Sequence, residues 1–125
     1  MDHEDIFAKV RDCLVAALDV EPEEVRLDAS LTDDLEAESI DFVDIIYRLE
    51  QTFRVKIPQG ELFPQELFSN KEYVDVGVFT SAGLAALQSQ YPFLETGNRS
   101  SLRVTELPQL YTVDMLVKFV ASKVN

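Results

Sequence analysis

The chain has 125 residues, 46% of them apolar, which fits one domain with its own core and excludes disorder as the first expectation. Its formal net charge is -12, and residues 1–51 hold 16 Asp/Glu against 4 Lys/Arg while residues 52–125 hold 7 of each. A nucleic-acid partner is disfavoured, because phosphate contacts need a basic patch. Proteins with basic patches are favoured as partners, although solubility alone would also account for the charge. The single cysteine, Cys13, excludes an internal disulfide framework, fits a reduced cytoplasm and reads as a packing residue. The acidic start Met1-Asp2-His3-Glu4-Asp5 is unlike a signal peptide. No apolar run approaches the roughly 18 residues of a membrane helix, so membrane insertion is not expected.

Residues 4–18 predict a first helix, since Ile6, Val10, Leu14 and Leu18 recur every four positions with Phe7 and Ala17 beside them. Asp2, Glu4 and Asp5 suit its positive end, and Pro22 lies beyond its other end. In the polar loop Glu23–Thr32 that follows, Val25, Leu27 and Leu31 read as anchors to the core. Ser39–Phe53 predicts a second helix whose core stripe is Phe42, Ile45, Ile46, Leu49 and Phe53. Ile40, Val43 and Tyr47 form another apolar line about 120° round the helix, flanked by Asp44 and Gln51. Periodicity leaves two readings of that line open: cover by another part of the chain, or a docking strip for partners.

From Ile57 to about Val104 the chain is near neutral and carries Phe63, Phe68, Tyr73, Phe79, Tyr91 and Phe93. Thr80 or Ser81 caps a short helix with Leu84, Leu87 and Tyr91 on one face. Tyr73–Val78 alternates like a strand but has no evident mate, and so reads as extended loop. Gly97-Asn98-Arg99-Ser100-Ser101 reads as an exposed turn. Thr112 suits the N-cap of a last helix running to about Lys123. Val113, Leu116, Val117, Val120 and Val124 are its buried stripe, with Phe119 at the border.

Catalytic patterns are missing from the sequence, so no enzyme is expected. The one histidine, His3, lies at a terminus expected to fray, which removes the base of a Ser-His-Asp arrangement. Phosphate-binding glycine motifs and Cys/His clusters for zinc do not occur. The acids between Asp33 and Asp41 lack the spacing and turn glycine of a calcium loop, so no metal site is expected. Ser39 remains. One reading makes it an N-cap, the commoner use of a helix-start serine. The other notes that an exposed hydroxyl there lies where backbone N–H groups and the macrodipole favour an attached phosphate.

Three segments, in order, carry a resemblance: Leu31-Thr32-Asp33-Asp34-Leu35-Glu36-Ala37-Glu38-Ser39-Ile40-Asp41, then Leu49-Glu50-Gln51-Thr52-Phe53 with Val55-Lys56-Ile57-Pro58, and Tyr111-Thr112-Val113-Asp114-Met115-Leu116. Together they resemble bacterial acyl carrier proteins across residues 1–57 and from about Val104 to Asn125. The resemblance implies an all-α, acyl-carrier-like four-helix bundle, a single domain over 1–125 with a partly helical insertion at about 58–103. It implies 4′-phosphopantetheine on Ser39, donated by coenzyme A through a phosphopantetheinyl transferase, with acyl groups carried as thioesters. The implied partner-docking residues are Glu38, Ile40, Asp41, Val43, Asp44, Tyr47 and Glu50, and the implied acyl-pocket lining is Phe42, Ile46, Leu49 and Ile57. The expected protein is a cytoplasmic monomer. It serves acyl-transferring or ketoacyl-synthase-type enzymes with basic patches in fatty acid or envelope-lipid synthesis, lipopolysaccharide included. An aminoacyl or peptidyl carrier, and an unmodified interaction module with a carrier fold, are the alternatives. Two departures stand out: Glu38 replaces the family's usual Asp, and Glu36 occupies a position where Gly is common.

Overall fold

The three long apolar periodicities become helices in a computed structural model that describes residues 2–58, 60–63, 70–94 and 101–124. Helix α1 spans His3–Leu18; its cap is Asp2, whose carboxylate accepts the Asp5 N–H at 2.9 Å. His3 is the first helical residue, and Asp2 satisfies the first turn. The helix stops at Asp19, in left-handed conformation with φ 55°. Helix α2 spans Ser39–Phe53 and stops the same way at Arg54, with φ 55°. The Thr112 hydroxyl accepts the Met115 N–H at 3.2 Å and so caps the last helix, Val113–Val124.

One compact unit comprises residues 1–57 and 111–125. Within it α1 packs against α2 and against the last helix. Ile6, Val10 and Leu14 of α1, Ile45 and Leu49 of α2, and Val113, Leu116, Val117 and Val120 of the last helix are all fully buried in the unit's core. Each such aliphatic side chain contributes about 1.5–3 kcal/mol relative to an exposed one. On the last helix Met115 and Phe119 are buried besides the expected Val113, Leu116, Val117 and Val120, whereas Val124, expected in that stripe, is only half-buried near the helix end. On α2, Phe42 and Ile46 are only half-buried at the border of the expected core stripe. Of the three loop anchors, Val25 and Leu31 are buried, but Leu27 is 38% exposed. Leu27 holds the loop through its backbone instead, its carbonyl accepting the Asp114 N–H at 3.0 Å. Two more such bonds run beside it, Val113 N–H to the Ala29 carbonyl at 3.1 Å and Leu31 N–H to the Tyr111 carbonyl at 2.8 Å.

The second compact unit is Pro58–Leu110. Here the extended-loop reading of Tyr73–Val78 is overturned. Strands β1 (Val74–Asp75) and β2 (Val78–Phe79) pair antiparallel, Val74 opposite Phe79 and Asp75 opposite Val78. The mate lay inside the same stretch, hidden by a two-residue turn in which Val76 and Gly77 both have positive φ, 49° and 76°. Such turns favour Asn-Gly, and a β-branched residue in that position is an outlier that the sequence does not announce. Beyond the hairpin, helix α3 (Ser81–Gln90) is capped by Thr80, whose hydroxyl accepts the Gly83 N–H at 3.0 Å. The last helix is accordingly α4. A tighter 3-10 helix covers Val104–Leu110. Leu87, Leu102 and Leu107 are fully buried, and the Tyr91 hydroxyl donates to the Gly60 carbonyl. Phe68 and the expected turn at Gly97–Ser100 lie outside the described residues. The described fold is thus mostly helical, and none of its helices is long and apolar enough to cross a membrane.

Helix α3 approaches the hairpin closely at Gly83, where an added Cβ would lie 2.1 Å from the Tyr73 carbonyl oxygen and 2.9 Å from its carbon. Both atoms are backbone and cannot swing aside. Gly83→Ala is therefore expected to destabilise the second unit by about 1–3 kcal/mol, read as a lower midpoint in urea; an unchanged midpoint contradicts the close approach.

Candidate functional site

The approach to Ser39 is a loop folded on its own backbone. Ser30, buried despite being polar, donates its N–H to Asp34 Oδ2 at 2.7 Å and accepts the Asp33 N–H on its hydroxyl at 3.1 Å. Its carbonyl accepts the N–H groups of Asp34 and Leu35, and the Leu31 carbonyl accepts that of Ala37 at 2.8 Å. Leu31, Leu35 and Ala37 point inward, whereas Asp33, Asp34, Glu36 and Glu38 are exposed. To turn the chain between the last two anchors, Glu36 adopts left-handed backbone with φ 59°. A side chain is tolerated there only at a steric cost, which gives the physical reason for glycine at this place.

Helix α2 then starts, and the reading of Ser39 as its N-cap is overturned. The cap is Glu38, in extended conformation (φ -105°, ψ 168°), joined to Asp41 in a capping box. The Asp41 carboxylate accepts the Glu38 N–H at 2.8 Å. Here Glu38 and Asp41 supply both halves of the box, so no serine is needed for closure. Ser39 is the first helical residue; its side chain is exposed and its hydroxyl has no hydrogen-bond partner among the described residues.

The second apolar line of α2 is not covered. Ile40, Val43 and Tyr47 are 76%, 69% and 60% exposed. Along its edge stands Asp44, which receives Arg48 Nε on both carboxylate oxygens at 3.1 Å. Glu50 is half-buried and already engaged: its Oε2 accepts the Ile57 N–H at 2.9 Å and fixes the turn that leaves the helix. Of the residues expected to line a pocket, Leu49 and Ile57 are buried. Phe42 meets Tyr111 edge to face at 5.6 Å, and Ile46 is half-buried. None of these four lines the open cleft of about 320 Å³ on the other flank of α2, formed by Asp12, Cys13 and Ala16 of α1 with Tyr47, Arg48, Gln51 and Thr52. Cys13, one of the residues lining that cleft, has its Sγ 3.3 Å from Thr52 Oγ1. Burial pushes its thiol above the ordinary value, which suits packing and not reactivity. Sequence reasoning missed Arg48, although Asp44 and Arg48 stand at the i,i+4 spacing of a helical ion pair.

Residues 8–66, from within α1 through the whole of α2, match the family model of the phosphopantetheine attachment site. An acyl carrier protein of Borrelia garinii subsp. bavariensis is 39% identical over 61 residues, 49% of this chain and 76% of that protein. One of Petrotoga mobilis is 44% identical over 62 residues, 50% and 73% respectively, and one of Campylobacter hominis 37% over 70 residues, 56% and 86%. The chain belongs to the acyl carrier protein family. It functions as an acyl carrier, and 4′-phosphopantetheine is its covalently attached group. The start of α2 in this carrier fits such a group. It offers an unengaged, exposed hydroxyl in the first turn of a 15-residue helix, where unpaired N–H groups and the macrodipole favour a phosphate.

Relief of the left-handed backbone at Glu36 is measurable. Glu36→Gly is expected to stabilise the carrier by about 0.5–1 kcal/mol in urea unfolding. Loss of stability would mean that the Glu36 side chain compensates its own strain.

Proposed function

We propose that Ser39 is the residue that bears the 4′-phosphopantetheine, and that this carrier presents acyl groups from the start of α2 without itself catalysing their transfer. The observation that carries the reading is the division of labour at the helix start: Glu38 and Asp41 close it, and Ser39 is left with a free hydroxyl. When bound, the phosphopantetheine arm supplies a terminal thiol that holds acyl groups as thioesters. The protein's own part is positional. Leu31, Leu35 and Ala37 pin the loop, so that Ser39 Oγ is held at the surface and at the positive end of α2.

The partner surface in this reading is Glu38, Ile40, Asp41, Val43, Asp44, Tyr47 and Glu50, with the exposed apolar line as its centre. Carboxylates around an exposed apolar strip suit enzymes with basic patches, a phosphopantetheinyl transferase first and acyl-transferring or ketoacyl-synthase-type enzymes after it. Phe42, Ile46, Leu49 and Ile57 are the proposed lining for an acyl chain. Residues 1–125 are read as one acyl-carrier domain with a segment inserted at about 58–103. The proposed setting is the cytoplasm and the proposed state a monomer. Fatty acid or envelope-lipid synthesis, including that of lipopolysaccharide, is the proposed pathway class.

Incubation with coenzyme A and a broad-specificity phosphopantetheinyl transferase is expected to add one phosphopantetheine to the intact mass, and none to Ser39→Ala. Because Ser39 makes no cap, that variant should unfold within about 0.5 kcal/mol of the wild type. Loading of Ser39→Ala would move the attachment elsewhere. Val43→Lys, which places a like charge in the middle of the strip, is expected to raise KM for the transferase about tenfold with stability unchanged. An unaltered KM would take the strip out of the encounter.

A further inference from the structure

The acids along α2 are not electrostatically equivalent. Asp41 is held by a backbone N–H of the capping box, a neutral donor that leaves the carboxylate its charge. Glu38, its partner in that box, is exposed and has no cation beside it among the described residues. Asp44 differs, because Arg48 Nε lies 3.1 Å from both of its oxygens across one helical turn. The pair stands beside Val43 and Tyr47, with side chains 41% and 40% exposed. Only Nε of the guanidinium is engaged among the described residues, so Nη1 and Nη2 remain as positively charged donors at the strip's edge.

We infer that Arg48 is a specificity-determining residue of this carrier. It cancels the charge of Asp44 within the chain and so confines the attractive part of the strip to the Ser39 end. The inference rests on the reading of α2 as the docking surface. A partner whose lysine or arginine falls over Asp44 must displace Arg48 or meet its like charge, whereas one whose basic groups cluster over Glu38 and Asp41 meets no such opposition. The ion pair is solvent-exposed and worth little by itself, so Arg48 grades partners and does not block them. The partner that fits best has a basic patch confined to the region of the attachment serine and an apolar surface facing Tyr47.

The test is calorimetric binding of the unmodified carrier to a broad-specificity phosphopantetheinyl transferase, with transfer kinetics from coenzyme A run in parallel. The wild type is compared with Arg48→Gln, Arg48→Lys, Asp44→Asn and the double variant Arg48→Gln/Asp44→Asn. Arg48→Gln is expected to lower Kd and KM about two- to fivefold at low salt, with kcat unchanged. Arg48→Lys should behave as wild type, Asp44→Asn should bind more weakly, and the double variant should return to near the wild-type value. All differences should shrink at high salt. Arg48→Gln binding no tighter than wild type, or a double variant as weak as Asp44→Asn, overturns the inference. Binding is read independently of loading. A wild type that binds but is never modified on Ser39 defeats the attachment reading alone, and normal loading with equal affinities defeats this inference alone.

Discussion

Three backbone hydrogen bonds tie Leu27, Ala29 and Leu31 to the segment Tyr111–Asp114 that opens α4, and the geometry of the site follows from them. They fix the middle of a long polar loop to a helix whose own inner face is fully buried. With Leu31 held, Leu35 and Ala37 can reach the core only if the chain reverses between them, and that reversal is the left-handed residue Glu36. Tyr111 completes the arrangement from the other side, its ring set edge-on against Phe42 of α2. The helix that carries Ser39 is thus placed by contacts at both ends of the first unit's sequence. The chain leaves that unit after Ile57 and returns to it at Tyr111, 53 residues of second unit later. Lengthening a connection is entropically cheap, about 0.6 kcal/mol per doubling, so the ladder tolerates it.

At the helix start, closure of the helix and the exposed hydroxyl belong to different residues. A helix terminus must satisfy its first N–H groups, and a serine there ordinarily does so. Here the neighbouring acids take over that duty, and the hydroxyl is released from any structural role. A backbone N–H neutralises no charge, so capping does not by itself use up the electrostatic part proposed for these acids towards a partner. Asp44 differs, because its charge is paired to a guanidinium within the chain.

Much of this was legible in the sequence where a periodicity is long. Helix α2 spans the predicted residues, and α1 begins only one residue early. Capping was legible in part: Thr80 and Thr112 cap as expected, whereas at the start of α2, where a serine cap was one of two open readings, the Glu38–Asp41 spacing closes the helix instead. Periodicity places Ile40, Val43 and Tyr47 on one line and is silent on what covers them; that depends on tertiary packing, which leaves them bare. The hairpin was illegible because its turn uses Val76, a residue whose side chain opposes the backbone it adopts. Leu27 misled for another reason, since its hydrophobicity suggested a buried side chain where only its carbonyl is anchored.

The uneven charge of the chain takes on meaning against these two units. The acidic excess lies in residues 1–51, the part that forms α1, the loop and α2, whereas residues 52–125 balance. A field of one sign over an exposed apolar strip attracts any basic surface, and attraction alone gives encounter without choice. Choice needs an opposing element. The composition of this acid-rich stretch leaves few places for one: of its four cations, Arg48 is the one on α2. A single arginine beside Tyr47 gives the strip a polarity along its length, negative at the serine and compensated one and a half turns further on. A docking partner can read that polarity as direction, which an unbroken row of carboxylates does not provide.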